Sequence, residues 1–81
     1  MKRNILVRTY DASGRPASGL RVSLWVYQFL ASGSAGEKYT NSNGEVDFDL
    51  DIDEGAEISI SINGTERSSR ATPRGEYRFS V

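Results

Sequence analysis

Residues 45–52 read E-V-D-F-D-L-D-I, an unbroken alternation of acidic and apolar side chains. A strand places Val46, Phe48, Leu50 and Ile52 on one face and Glu45, Asp47, Asp49 and Asp51 on the other, whereas a helix would scatter both sets around its axis. The segment is therefore a strand with one face in a core and one in water. Residues 57–62 (EISISI) repeat the pattern with Ile58, Ile60 and Ile62 inward. Residues 20–30 (LRVSLWVYQFL) form a longer strand, with Leu20, Val22, Leu24 and Val26 on one face. Residues 4–10 (NILVRTY) are rich in β-branched and aromatic types, and residues 76–81 (EYRFSV) bring Tyr77, Phe79 and Val81 to the core.

Turn chemistry separates these runs. Asp11 to Pro16 is a cluster of turn formers, and residues 31–36 (ASGSAG) read as a flexible connection before a short strand at 37–41. Asn43-Gly44 and Asn63-Gly64 both suit the positive φ angles of tight hairpins. The polar stretch 65–75 carries a proline, so any strand there is a short edge. Six or seven short strands without one helical pattern predict a single all-β domain over residues 1–81: a sandwich, antiparallel or mixed, of the immunoglobulin-like or a related kind, with a small barrel as the alternative.

Composition narrows the chemistry. There is no histidine and no cysteine among the 81 residues, which removes the commonest general base, the thiol nucleophile and the usual transition-metal ligands. Ten Lys and Arg against eleven Asp and Glu give a formal charge of −1, so no global field favours nucleic acid or an anionic membrane. No stretch is long and apolar enough for a bilayer span or a signal-peptide core, which suggests cytoplasmic synthesis or a domain excised from a larger surface protein. The expectation is a domain that is not an enzyme and needs no cofactor. Aspartates at 49, 51 and 53 superficially imitate a calcium loop, but Glu54 stands where a glycine is needed and Ile60 where the closing glutamate belongs. No metal site is expected. Asn63-Gly64-Thr65 matches a glycosylation sequon, which turn chemistry explains.

Residues 7–24 (VRTYDASGRPASGLRVSL) followed by 40–48 (TNSNGEVDF) resemble the prealbumin-like β-sandwiches: transthyretin, the carboxypeptidase regulatory-like domains and the collagen-adhesin B-type repeats. The resemblance covers about half the chain and implies that fold. Hydroxyisourate hydrolases of this group act through histidines; Arg8 stands where their first-strand histidine would be, so that activity is not expected. The adhesin repeats' isopeptide bond uses a lysine where this chain has Thr9, so the crosslink is not expected either. What the resemblance leaves is a structural or interaction module.

The outward face of the strand at 20–30 carries Arg21, Ser23, Trp25, Tyr27 and Phe29. If the strand at 4–10 pairs beside it, Ile5, Val7 and Thr9 face inward and Leu6 and Tyr10 join the aromatic patch. Large apolar patches with an adjacent arginine are characteristic of interface centres. The expected interface is therefore Leu6, Tyr10, Arg21, Trp25, Tyr27 and Phe29, for a protein partner that is a second copy or a larger shell, filament or surface assembly. Two alternatives are coverage of the patch by residues 65–75 and a carbohydrate stacked on the rings. A second expectation is electrostatic: Asp47, Asp49 and Asp51 face Arg67, Arg70 and Arg74, by cross-strand pairing or, if the two sets lie on different sides of the fold, between copies.

Overall fold

The computed structural model describes residues 2–29 and 32–81 as seven strands and no helix. They are β1 (Lys2–Tyr10), β2 (Arg21–Tyr27), β3 (Gly33–Tyr39), β4 (Glu45–Asp51), β5 (Glu57–Ile62), β6 (Thr65–Ala71) and β7 (Glu76–Ser80). Two sheets face each other, one in the order β4-β1-β7 and the other β3-β2-β5-β6. All neighbours are antiparallel except β1 and β7, which run parallel. The chain is an all-β sandwich of mixed pairing.

The alternating segments bury the faces that their periodicity assigns. Ile5 and Val7 from β1, Val22, Leu24 and Val26 from β2, Val46, Phe48 and Leu50 from β4, and Ile58, Ile60 and Ile62 from β5 meet in one core. Removing each such side chain from water contributes about 1.5–3 kcal/mol. Tyr77 enters the same core, and its hydroxyl accepts a hydrogen bond from Arg74 N at 2.9 Å.

The predicted pairing of the first two long strands does not occur. β1 and β2 lie in different sheets, with the connection at residues 11–20 crossing between them. The arrangement has a direct cause: each strand has one apolar face, and placing the strands in opposing layers turns both faces into a single core. Side-by-side pairing would have made one sheet oily on both sides.

Three boundaries also differ from expectation. β2 stops at Tyr27, short of the predicted end; Leu30 and Ala31 lie outside the described residues. The glycine- and serine-rich stretch expected to be a connection instead supplies most of β3. An edge strand is held by its main chain, and small side chains do not prevent pairing; the register shift opposite Leu24 and Trp25 absorbs the irregularity, with Gly36 at φ +126°. β6 is an edge, as predicted, but runs for seven residues.

The two Asn-Gly turns take different forms. Asn63 and Gly64 have φ of 50° and 83° and close the β5–β6 hairpin, the left-handed pair that such a turn requires. At Asn43-Gly44 the chain turns without forming a hairpin, because β3 and β4 belong to different sheets. There the Asn41 side chain accepts from Asn43 N and Glu45 N, and only Gly44 of the pair has positive φ.

This second turn is tied to the start of the core by a buried polar knot. Thr9, fully buried, donates its hydroxyl to Ala17 O at 2.8 Å and lies 3.0 Å from Gly44 O, so one proton is shared between two acceptors. Thr40 donates to the same Ala17 O and accepts from Leu20 N. Thr9 is thus a buried hydroxyl that pins two loops to β1.

Candidate interaction surface

β2 is an interior strand, so its outward residues stand in the middle of the four-stranded sheet rather than at a margin. Trp25 is 44 % exposed there, and its cross-strand neighbours are two small residues, Ser34 on β3 and Ser59 on β5. Neither is large enough to cover an indole. Phe29, beyond the end of β2, is 94 % exposed.

Tyr27 is in a different situation. Arg70 reaches from β6 across β5, places its guanidinium 4.6 Å from the Tyr27 ring centre, and pairs with Glu57 at 2.8 Å. The Tyr27 hydroxyl lies 3.3 Å from the buried Ser59 hydroxyl. Residues from the 65–75 segment thus cover Tyr27 and leave Trp25 open, so coverage of the patch is partial. At the other end of β2, Glu37 accepts from the Ser23 hydroxyl at 3.3 Å and lies 3.9 Å from Arg21. The aromatic centre is flanked on two sides by Arg–Glu pairs.

Leu6 and Tyr10 are not part of this surface. They project from β1 on the other sheet, where Leu6 stands between Asp47 of β4 and Glu76 of β7. Leu6 lines a shallow cleft with Tyr39, Asn41, Glu45 and Asp47. Tyr39 is 64 % exposed and was not singled out by sequence. Ser59 and Glu57 were missed as well, since only the β2–β5 register brings them beside the rings.

Among the described residues, Asp47 and Asp49 have a partner other than the expected arginines. Asp47 and Asp49 both accept from the Asn4 side chain, at 3.0 and 2.8 Å. Arg70 pairs with Glu57, and the Arg74 guanidinium lies over Tyr77, 4.7 Å from the ring centre. β4 and β6 are outer strands of different sheets, which separates the acidic row from Arg67 and Arg70. A different ladder crosses the outer face of the three-stranded sheet. Arg8 pairs with Glu45 at 2.8 Å and lies 3.5 Å from Glu76, which pairs with Arg78 at 2.7 Å. The hydrogen bond from Arg78, with the Arg8 charge beside it, lowers the Glu76 pKa, and the same hydrogen bond together with the Glu76 charge raises that of Arg78. In the 11–20 connection, Asp11 accepts from the Ser13 hydroxyl and from the main chain of Arg15 and Ser13, and its pKa is lowered for that reason. In each case the perturbed group serves a local structural contact.

Compared with known proteins, the chain matches no family model and no curated protein sequence.

Proposed function

We propose that this domain is a non-catalytic structural or interaction module that docks onto a protein surface through the outer face of β3-β2-β5-β6. The observation that carries this is Trp25. A large aromatic ring stands open at the centre of a sheet between two serines, with its neighbour Tyr27 already fixed by Arg70 and Glu57. Rigid aromatic anchors ringed by polar pairs have the composition of an interface centre and rim. The partner is a second copy or a component of a larger shell, filament or surface assembly. The prealbumin-like kinship belongs to the same proposal; two facing sheets support it.

Light scattering over a concentration series tests the self-association arm, comparing wild type with Trp25→Ser combined with Phe29→Ser. Mass should rise with concentration for wild type and stay monomeric for the variant. A wild type that remains monomeric throughout would remove self-association. Carbohydrate binding is a second reading, favoured by the polar groups the fold brings beside the indole: Ser34, Ser59, Glu57 and Arg70. It predicts a Trp25 emission shift on adding glycans that is absent in Tyr and Phe emission of Trp25→Ser.

A further inference from the structure

β4 is the outer strand of its sheet, with β1 on one side. The phase of its backbone is fixed by two independent observations. Leu6 N donates to Gly75 O, on the β7 side, so Leu6 and its partner Asp47 form one of the pairs that exchange no bonds in the β1–β4 ladder. From the other direction, Lys38 donates to Asp47 O at 2.8 Å and Asn41 N to Glu45 O at 2.9 Å. Glu45, Asp47 and Asp49 therefore turn their main-chain N–H and C=O groups away from β1. Lys38 and Asn41 guard the first two positions. Among the described residues, no backbone bond outside the β1–β4 ladder involves Asp49.

Beside Asp49 the two sheets part. A cleft of about 320 Å³ lies between β3 and β4, with Val26, Ala35, Leu50 and Ile52 among its lining residues. It remains unfilled because β3 offers Gly33, Ser34, Ala35 and Gly36 along this stretch. The open main-chain groups of Asp49 at a strand edge and the cleft beside them, whose floor carries Val26, Ala35, Leu50 and Ile52 and whose rim carries Gln28, Ser32, Ser34 and the aspartates, are the two halves of a β-augmentation site.

We propose that this edge receives an extended peptide as an additional strand, one in which Lys or Arg alternates with small aliphatic residues. The alternation follows from the phase. A residue opposite Asp49 would exchange two main-chain bonds with it and share its face, beside the Asp47 and Asp49 carboxylates, which the domain itself meets with the neutral amide of Asn4. Its neighbours, opposite Phe48 and Leu50, would enter the cleft. Charge complementarity selects a basic residue at the first kind of position, and the cleft selects an apolar one at the second. This site is separate from the Trp25 face and does not depend on it.

The test uses the intact chain and a synthetic peptide of about seven residues, the usual length of a strand, alternating lysine and valine. A peptide of equal composition with lysines and valines in separate blocks is the control. Amide NMR should show shifts centred on residues 47–51, with exchange of the Asp49 amide slowed about tenfold or more at saturation. The block peptide should bind about tenfold more weakly or worse, Asp49→Lys should lose binding to a similar extent, and Trp25→Ser should retain it. Equal binding of the block peptide would overturn the proposal. So would protection that appears on β6 or β7 instead of Asp49, or no amide shift at about 1 mM peptide.

Discussion

Replacing Gly44 by alanine addresses the packing of the knot directly. Gly44 has φ +72°, a region that costs a residue with a Cβ about 1–2 kcal/mol. Space adds a second penalty. A Cβ would stand 2.6 Å from Thr9 O, 2.9 Å from Ala17 N and 3.2 Å from Pro16 Cα, all backbone atoms that no rotamer change can move aside. Relief requires the turn to withdraw from β1. That would stretch the bonds to Gly44 O from Thr9 N (2.8 Å) and from the Thr9 hydroxyl (3.0 Å), each contributing about 0.5–1.5 kcal/mol. The sum is about 2–5 kcal/mol, a large part of the roughly 4–12 kcal/mol expected for a domain of this length. Gly55→Ala is the internal control, because Gly55 has φ +86° and nothing within 4 Å of a built Cβ. It shares the backbone penalty and the unfolded-state effect but lacks the collision. Urea unfolding followed by far-UV circular dichroism gives both values. If Gly44→Ala falls within about 1 kcal/mol of Gly55→Ala, the collision argument is wrong.

Thr9→Val should cost about 1–2 kcal/mol in the same assay, since it retains shape and removes the donor to Ala17 O and Gly44 O, while Thr9→Ser should recover part of the loss. Acid should weaken the fold through Glu76. Its folded pKa lies below the ordinary carboxylate value, so its contribution is present above that ordinary value and disappears as pH falls through the lowered one. Glu76→Gln should accordingly flatten the acid limb of a stability-against-pH curve, and an unchanged limb would assign the acid sensitivity to other carboxylates.

The strands at 45–52 and 57–62 were legible because each keeps strict two-residue alternation with one face apolar, and burial followed that pattern except at Ser59, which is buried on the outward face. The Asn63-Gly64 hairpin was legible because few sequences tolerate two consecutive left-handed residues. The first half of β3 was not legible: Gly33 to Gly36 have no side-chain pattern, and the strand begins there because the β2 edge offers main-chain partners. The candidate surface was half visible. Trp25 and Phe29 are exposed as their positions on the strand suggested, but the partial cover of Tyr27 by Arg70 depends on a partner 43 residues further along the chain.

By itself, the sequence determined which face of each regular strand is buried, because alternation is a local property and hydrophobic burial acts on each strand separately. The tertiary structure decided which strands are neighbours. It sent β1 and β2 to opposing sheets, split Leu6 and Tyr10 from Trp25, and parted the aspartates from the arginines. Several pairings satisfy the same inward faces, and they are distinguished by the way the apolar strand faces and their loops close around one common core. That is a property of all the strands together, and no single segment encodes it.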